Sequence, residues 1–137
     1  MADLIRMSEA TALALHTMAI VAQSDEPTSA TQIASELRAS ETHLAKVLQQ
    51  LVRAGWLRSK RGPNGGYALA KPAEETRLLD VYEALEGPFR QDGCLFDEPV
   101  CDNVRCILGD LVQDLRDEAY AYLRTTTLRD VANGKRR

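Results

Sequence analysis

The run Arg61-Gly62-Pro63-Asn64-Gly65-Gly66 constrains this chain more than any other segment. Proline presets its own backbone angle, and glycine and asparagine accept positive φ, so neither a helix nor a central strand passes through it. On either side, Trp56–Lys60 and Tyr67–Ala70 read as two short strands, and Lys71-Pro72 ends the second, which predicts a hairpin around a glycine-rich turn. Immediately upstream, Ser40 stands as the cap of a helix whose apolar residues Leu44, Val47, Leu48, Leu51 and Val52 recur at helical spacing, and Gly55 ends it. Before that, Ser29 or Thr31 caps a short helix reaching Leu37, with Ile33, Ala34 and Leu37 inward, and Ala39-Ser40 forms the break. The segment Met7–Ala22, with Ser8 as its cap, reads as a first helix with a wide apolar face.

Charge separates the chain into blocks. Between Arg38 and Lys71 there are seven Lys/Arg and one acid, Glu41, whereas Pro72 to Glu118 carries thirteen acids and four arginines. The net charge of −3 therefore hides a basic block, and that block marks the place for an anionic partner. Helix, tight turn, capped helix and basic hairpin in succession make a winged helix-turn-helix. Ser40, Thr42, His43 and Lys46 form the polar opening of the helix that would enter a major groove, and Arg58, Lys60 and Arg61 arm the wing. The bland alternative is a solvated basic hairpin, which accounts for the charge but not for the order of the elements.

Beyond the hairpin, Thr76 is placed to cap a helix over Leu78, Leu79, Val81, Tyr82 and Leu85, stopped by Gly87-Pro88. Phe89 to about Asn103 reads as an acidic loop. A long helix is predicted from about Val104 to Thr125, with Leu108, Leu111, Val112, Leu115, Ala119, Tyr122 and Leu123 as one apolar stripe, and the end, Gly134-Lys135-Arg136-Arg137, reads as a frayed tail. The chain thus divides into a DNA-binding domain (1–87), a cysteine-bearing loop (88–106) and a dimerisation helix with its tail (107–137). The fold class is mainly α with a small β-hairpin wing.

The three cysteines, Cys94, Cys101 and Cys106, lie within thirteen residues. An odd, clustered set without a secretory leader suits a reducing cytoplasm and metal or redox chemistry rather than a disulfide framework. Paired Cys-x-x-Cys knuckles of a structural zinc site are absent, and three thiolates leave one ligand position for a weaker group. No run approaches ~18 apolar residues, so no membrane span is expected. No phosphate-cradling loop or nucleophile–base pair argues for an enzyme.

The run from Ile33 to Gly87 resembles the winged-helix regulators of the IscR/NsrR type, the Rrf-two family. The matching residues are Ile33-Ala34, Ser40, Leu44, Val47-Leu48, Leu51, Ala54-Gly55, the stretch SKRGPNGGYALAKPAEE from Ser59, Leu79-Asp80-Val81 and Ala84-Leu85-Glu86-Gly87. The resemblance implies a homodimeric transcription regulator, a repressor, on a pseudo-palindromic stretch of double-stranded DNA, with the last long helix as dimer interface. It assigns base reading to Ser40, Thr42, His43 and Lys46 and minor-groove contact to Arg61. It also implies an iron–sulfur cluster, [2Fe–2S] or [4Fe–4S], on Cys94, Cys101 and Cys106. The gaps between these cysteines are six and four residues where the family commonly has five and five. Gly109 stands where one group of relatives has a histidine ligand, so the fourth ligand is sought on the first helix, at His16 or Glu9. A second reading keeps the winged helix without a cluster and senses by cysteine oxidation or a small ligand.

Overall fold

The apolar residues of the first three helices have one place to go, against each other. In the computed structural model, which describes residues 3–101 and 106–134, α1 (Glu9–Ala22), α2 (Ala30–Leu37) and α3 (Glu41–Arg53) bury Leu13, Ala14, Met18, Val21, Ile33, Leu44, Val47, Leu48 and Leu51 in a common core. Each helix begins at a serine whose hydroxyl accepts an amide hydrogen from the first turn. Ser8 takes that of Thr11, Ser29 that of Gln32 and Ser40 that of His43. Helix α3 stops where Gly55 takes φ +84°, and the Trp56 amide reaches back to the Leu51 carbonyl at 3.0 Å.

The hairpin follows at once. Strands β1 (Leu57–Lys60) and β2 (Gly66–Leu69) are antiparallel, with Leu57 opposite Leu69 and Lys60 opposite Gly66. Leu57 anchors the hairpin in the core while Arg58, Ser59 and Lys60 are exposed. On its other edge β2 is bridged to Thr28, through paired bonds of 2.9 and 2.8 Å between Thr28 and Tyr67. Gly66 makes that approach possible: its φ is +147°, and a Cβ there would lie 2.5 Å from the Thr28 carbonyl oxygen.

Helix α4 (Leu78–Glu86) packs on α1 and on α5 (Leu111–Thr125), and a short α6 (Leu128–Ala132) returns to α1. A second core, Leu79, Tyr82, Phe89 and Leu123, joins α4 to α5, with the Phe89 ring between those of Tyr82 and Tyr120.

Two expectations need correction. Thr76 does not cap α4. Arg77 holds the cap position, its amide bound by the Asp80 carboxylate, while Thr76 is buried and its hydroxyl donates to the Pro72 carbonyl. The described part of the long helix starts at Leu111, and residues 107–110 form turns, so Leu108 is not on its stripe. The start proposed at Val104 lies outside the described residues, as does the last part of the tail, Lys135 to Arg137. Between Thr125 and that tail lies an element with no counterpart in the expectations: α6 is capped by Thr127 and Asp130, and Leu128 is fully buried in the main core.

Candidate functional site

The residues expected to contact DNA lie on α3 and the wing. The Ser40 oxygen accepts the His43 amide hydrogen at 3.0 Å, which fixes the first turn and leaves the hydroxyl proton free to donate. Thr42 and Lys46 are exposed, one turn apart on the same helix. His43 is half-exposed and its Nδ1 lies 3.9 Å from a carboxylate oxygen of Glu9, at the start of α1. A cleft of about 370 Å³ runs along this helix, lined by Ala10, His43, Lys46, Gln50 and Arg53. Gln50 and Arg53 extend the polar strip beyond the residues expected from the sequence; their signal there was the phase, since both fall between the core positions of α3.

Arg61 is exposed at the hairpin tip, where the Gly65 amide donates to the Gly62 carbonyl at 2.9 Å. Arg58 and Lys60 are exposed on β1 and share a groove with Asp25 and Glu26 of the α1–α2 loop. Lys71 is held over the Trp56 ring at 4.0 Å, so this member of the basic block also braces the wing.

The cysteine loop leaves α4 at Gly87 and is organised by two arginines. Arg90 binds Asp92 at 2.6 Å and Asp97 at 2.8 Å, and its guanidinium also donates to the Phe96 carbonyl. Arg116, on α5, is 1% exposed. Its Nη1 donates to the Asp92 carbonyl at 2.9 Å, to the Asp92 carboxylate at 3.1 Å and to the Cys94 carbonyl; Nε donates to the Leu4 carbonyl and Nη2 to the Asp3 carbonyl, each at 2.8 Å. The Arg90 hydrogen bond, with the Cys94 amide and both guanidinium charges, holds the Asp92 carboxyl below the ordinary carboxylate range despite partial desolvation. Sequence reasoning overlooked Arg116. The signal was present: it falls four residues after Val112 and seven before Leu123, on the inward face of α5.

Cys94 and Cys106 are half-buried, Cys101 is exposed, and all three thiols are free. Among the described residues no three His, Cys, Asp or Glu side chains are gathered closely enough to hold a metal ion. Of the two candidate ligands on α1, exposed His16 bonds the Ala12 carbonyl through Nδ1 at 2.6 Å, and Glu9 faces His43. Of the acids near the cysteines that could also serve as a fourth ligand, Asp97, Glu98 and Asp110 are exposed, and Asp102 lies outside the described residues.

The family model described as "Iron-dependent Transcriptional regulator", Rrf2, matches residues 7–134. YwgB of Bacillus subtilis, a putative HTH-type transcriptional regulator, is 32% identical over 72% of this chain, a match spanning 65% of that relative, just under two thirds of its length. Among solved structures, CymR (YrzC), "the Global Cysteine Regulator of B. subtilis", aligns at TM-score 0.75 and 28% identity, covering 93% of this chain and 96% of that one. T. potens IscR shares the fold at TM-score 0.71 with 24% identity, over 96% of this chain and 88% of that one. With capped recognition helix, glycine-tipped wing and a family match across nearly its whole length, this chain belongs to the Rrf2 family of DNA-binding transcriptional regulators.

Proposed function

We propose that the chain binds operator DNA as a homodimeric repressor through Ser40, Thr42, His43, Lys46 and the wing, under the control of an iron–sulfur cluster held by Cys94, Cys101 and Cys106. The observation that carries this reading is a loop with three free thiols, anchored by a buried guanidinium to the segment that leads into α1. The donor set suits a cluster in chemistry and number, and the description of the family as iron-dependent supports it. When bound, the cluster supplies sensitivity to oxidants, nitric oxide or iron–sulfur supply.

The protein's own residues supply the rest. Ser40 and its neighbours present donors and acceptors at the N-terminus of α3, where backbone amides also favour phosphate. Arg61 brings a cation to the groove beside it. His16 is the better fourth ligand of the two on α1, because donation from Nδ1–H to Ala12 leaves Nε2 with a free lone pair, whereas Glu9 is turned to His43. The outer face of α5 supplies the dimer contact. Iron and acid-labile sulfide determined after anaerobic purification test the assignment. Wild type should carry both and absorb in the visible, and serine at any one of the three cysteines should lower both. A colourless, iron-free wild type that stays so after anaerobic reconstitution would contradict it.

A second reading rests on the thiols not being gathered into a ready-made site among the described residues, with Cys101 open to solvent. On this reading the loop senses by thiol oxidation, and the solved neighbour whose title calls it a cysteine regulator lends it support. Colourless protein whose DNA affinity changes reversibly with oxidant would favour it.

A further inference from the structure

Residues 3–8 lead into α1, and four of their backbone groups are tied to side chains of α4 and α5. The Asp3 and Leu4 carbonyls accept from Arg116, the Arg6 carbonyl accepts from the Tyr82 hydroxyl, and the Ser8 amide donates to Glu86 at 2.8 Å. Glu86 also accepts from the Thr11 hydroxyl at 2.6 Å, inside the first turn of α1. Burial alone would raise the Glu86 carboxyl. The bonds from Ser8 and Thr11, with Arg6 nearby, outweigh it and hold the group below the ordinary carboxylate range.

The strap joins two places that matter. At one end the guanidinium that holds Asp3 and Leu4 also holds the Asp92 and Cys94 carbonyls, so the first cysteine and the strap share one buried group. At the other end α1 starts, and Glu9 in its first turn lies against His43 of the recognition helix. The Asp92 and Cys94 carbonyls sit on one short stretch of backbone and share Nη1, so a displacement of that stretch takes acceptors away from a buried cation and is resisted or passed on to the strap.

We propose that Arg116 is a positioning residue that couples the backbone at Cys94 to the N-terminal strap, and through the strap sets α1 against the opening turn of α3. The carriers are Arg116, Tyr82 and Glu86. The proposal deepens the reading of the loop as the sensor, but it concerns Cys94 whatever occupies its sulfur, cluster or oxidant.

The test is hydrogen exchange on the full chain carrying Cys101→Ser and Cys106→Ser, so that Cys94 is the only thiol, before and after alkylation with iodoacetamide. In this background, alkylation should speed exchange at Ser8 and at residues 9–12 by roughly threefold or more, and at residues 41–46 to a smaller extent. Adding Arg116→Gln should raise exchange at residues 3–8 and 92–94 together and abolish the further response at α1 and α3. Tyr82→Phe keeps the aromatic packing and removes one tie of the strap. It should leave residues 92–94 unchanged while blunting the response at residues 9–12, which a merely structural role for Arg116 would not produce. Arg116→Lys should restore part of the response. The proposal is overturned if alkylation leaves α1 unchanged in the Cys94-only protein, or if Tyr82→Phe transmits the response in full. Should Arg116→Gln fail to fold, the Tyr82→Phe comparison decides alone. A protein without iron would overturn the cluster assignment and leave this exchange result standing.

Discussion

Arg61 is exposed at the hairpin tip, so its charge is available to a phosphate or a narrow groove. Arg61→Ala should weaken binding to all DNA sequences and lower the slope of log affinity against log salt by about 0.9, the value of one lost contact. Fluorescence anisotropy at several salt concentrations measures both; an unchanged slope would remove the wing from the interface. Substitution at Thr42 or Lys46 should instead alter which sequence is preferred. Glu86 makes a different prediction. Its carboxyl is depressed in the folded chain, so its contribution is present above the ordinary carboxylate value and is lost as pH falls through the depressed one. Melting temperature should therefore drop as pH is lowered from about 5 to about 3, and Glu86→Gln should flatten that drop while lowering stability at neutral pH. Equal pH profiles for the two proteins would show that Glu86 is not responsible. At this scale the sequence was readable where a residue acts within its own turn, as Ser8, Ser29 and Ser40 do. For Arg116 it offered only the phase on α5 and not the partners, because its guanidinium makes five hydrogen bonds to carbonyl and carboxylate groups far away along the chain.

The elements of the N-terminal half follow from local rules, and those of the C-terminal half do not. The amide of Leu78 bonds the Thr126 carbonyl and the amide of Leu128 bonds the Thr76 carbonyl, each at 2.9 Å, around a bridge between Arg77 and Thr127. That pairing spans the whole of α4, the cysteine loop and α5. It buries Thr76, moves the start of α4 and gives α6 its anchor, and no window along the sequence contains both partners. The stripe expected on α5 is divided by the same tertiary context. Val112 and Leu123 are spent inside the chain, whereas Leu111 is 52% and Leu115 37% exposed, and a shallow apolar hollow lies between Leu4, Ile5, Leu115 and Tyr122. Leu115→Asp should therefore leave the single chain folded and shift it from dimer to monomer in light scattering, while Val112→Asp should unfold it, because that side chain is inside. A stable dimer of Leu115→Asp would place the interface elsewhere. In the wing, Gly66→Ala sets a methyl group against Thr28 in a strained backbone region. It should cost about 1–3 kcal/mol in unfolding free energy, read by urea denaturation, and weaken DNA binding with α3 unaltered. Unchanged stability would contradict the close approach seen here.

At the scale of the molecule, the basic block and the acidic block are carried by parts joined through α1. The basic elements α3 and β2 pack against α1, as do α4 and α6, and α3 also touches α4. The winged helix was legible because helix, turn, capped helix and glycine-rich hairpin are contiguous in sequence. The cysteine loop was legible as a cluster of thiols and not in its anchorage, since Arg116 reaches its carbonyls from α5, twenty-two residues after Cys94. On the proposed function, the state of the cysteine loop governs DNA binding. The measurement is the ratio of affinities of cluster-loaded and cluster-free protein for a duplex selected from a randomised pool, determined anaerobically at one salt concentration. The ratio should be at least about fivefold in wild type, the lower bound of a typical coupling between sites, and near one for Cys94→Ser. Equal affinities of loaded and cluster-free wild type would contradict it.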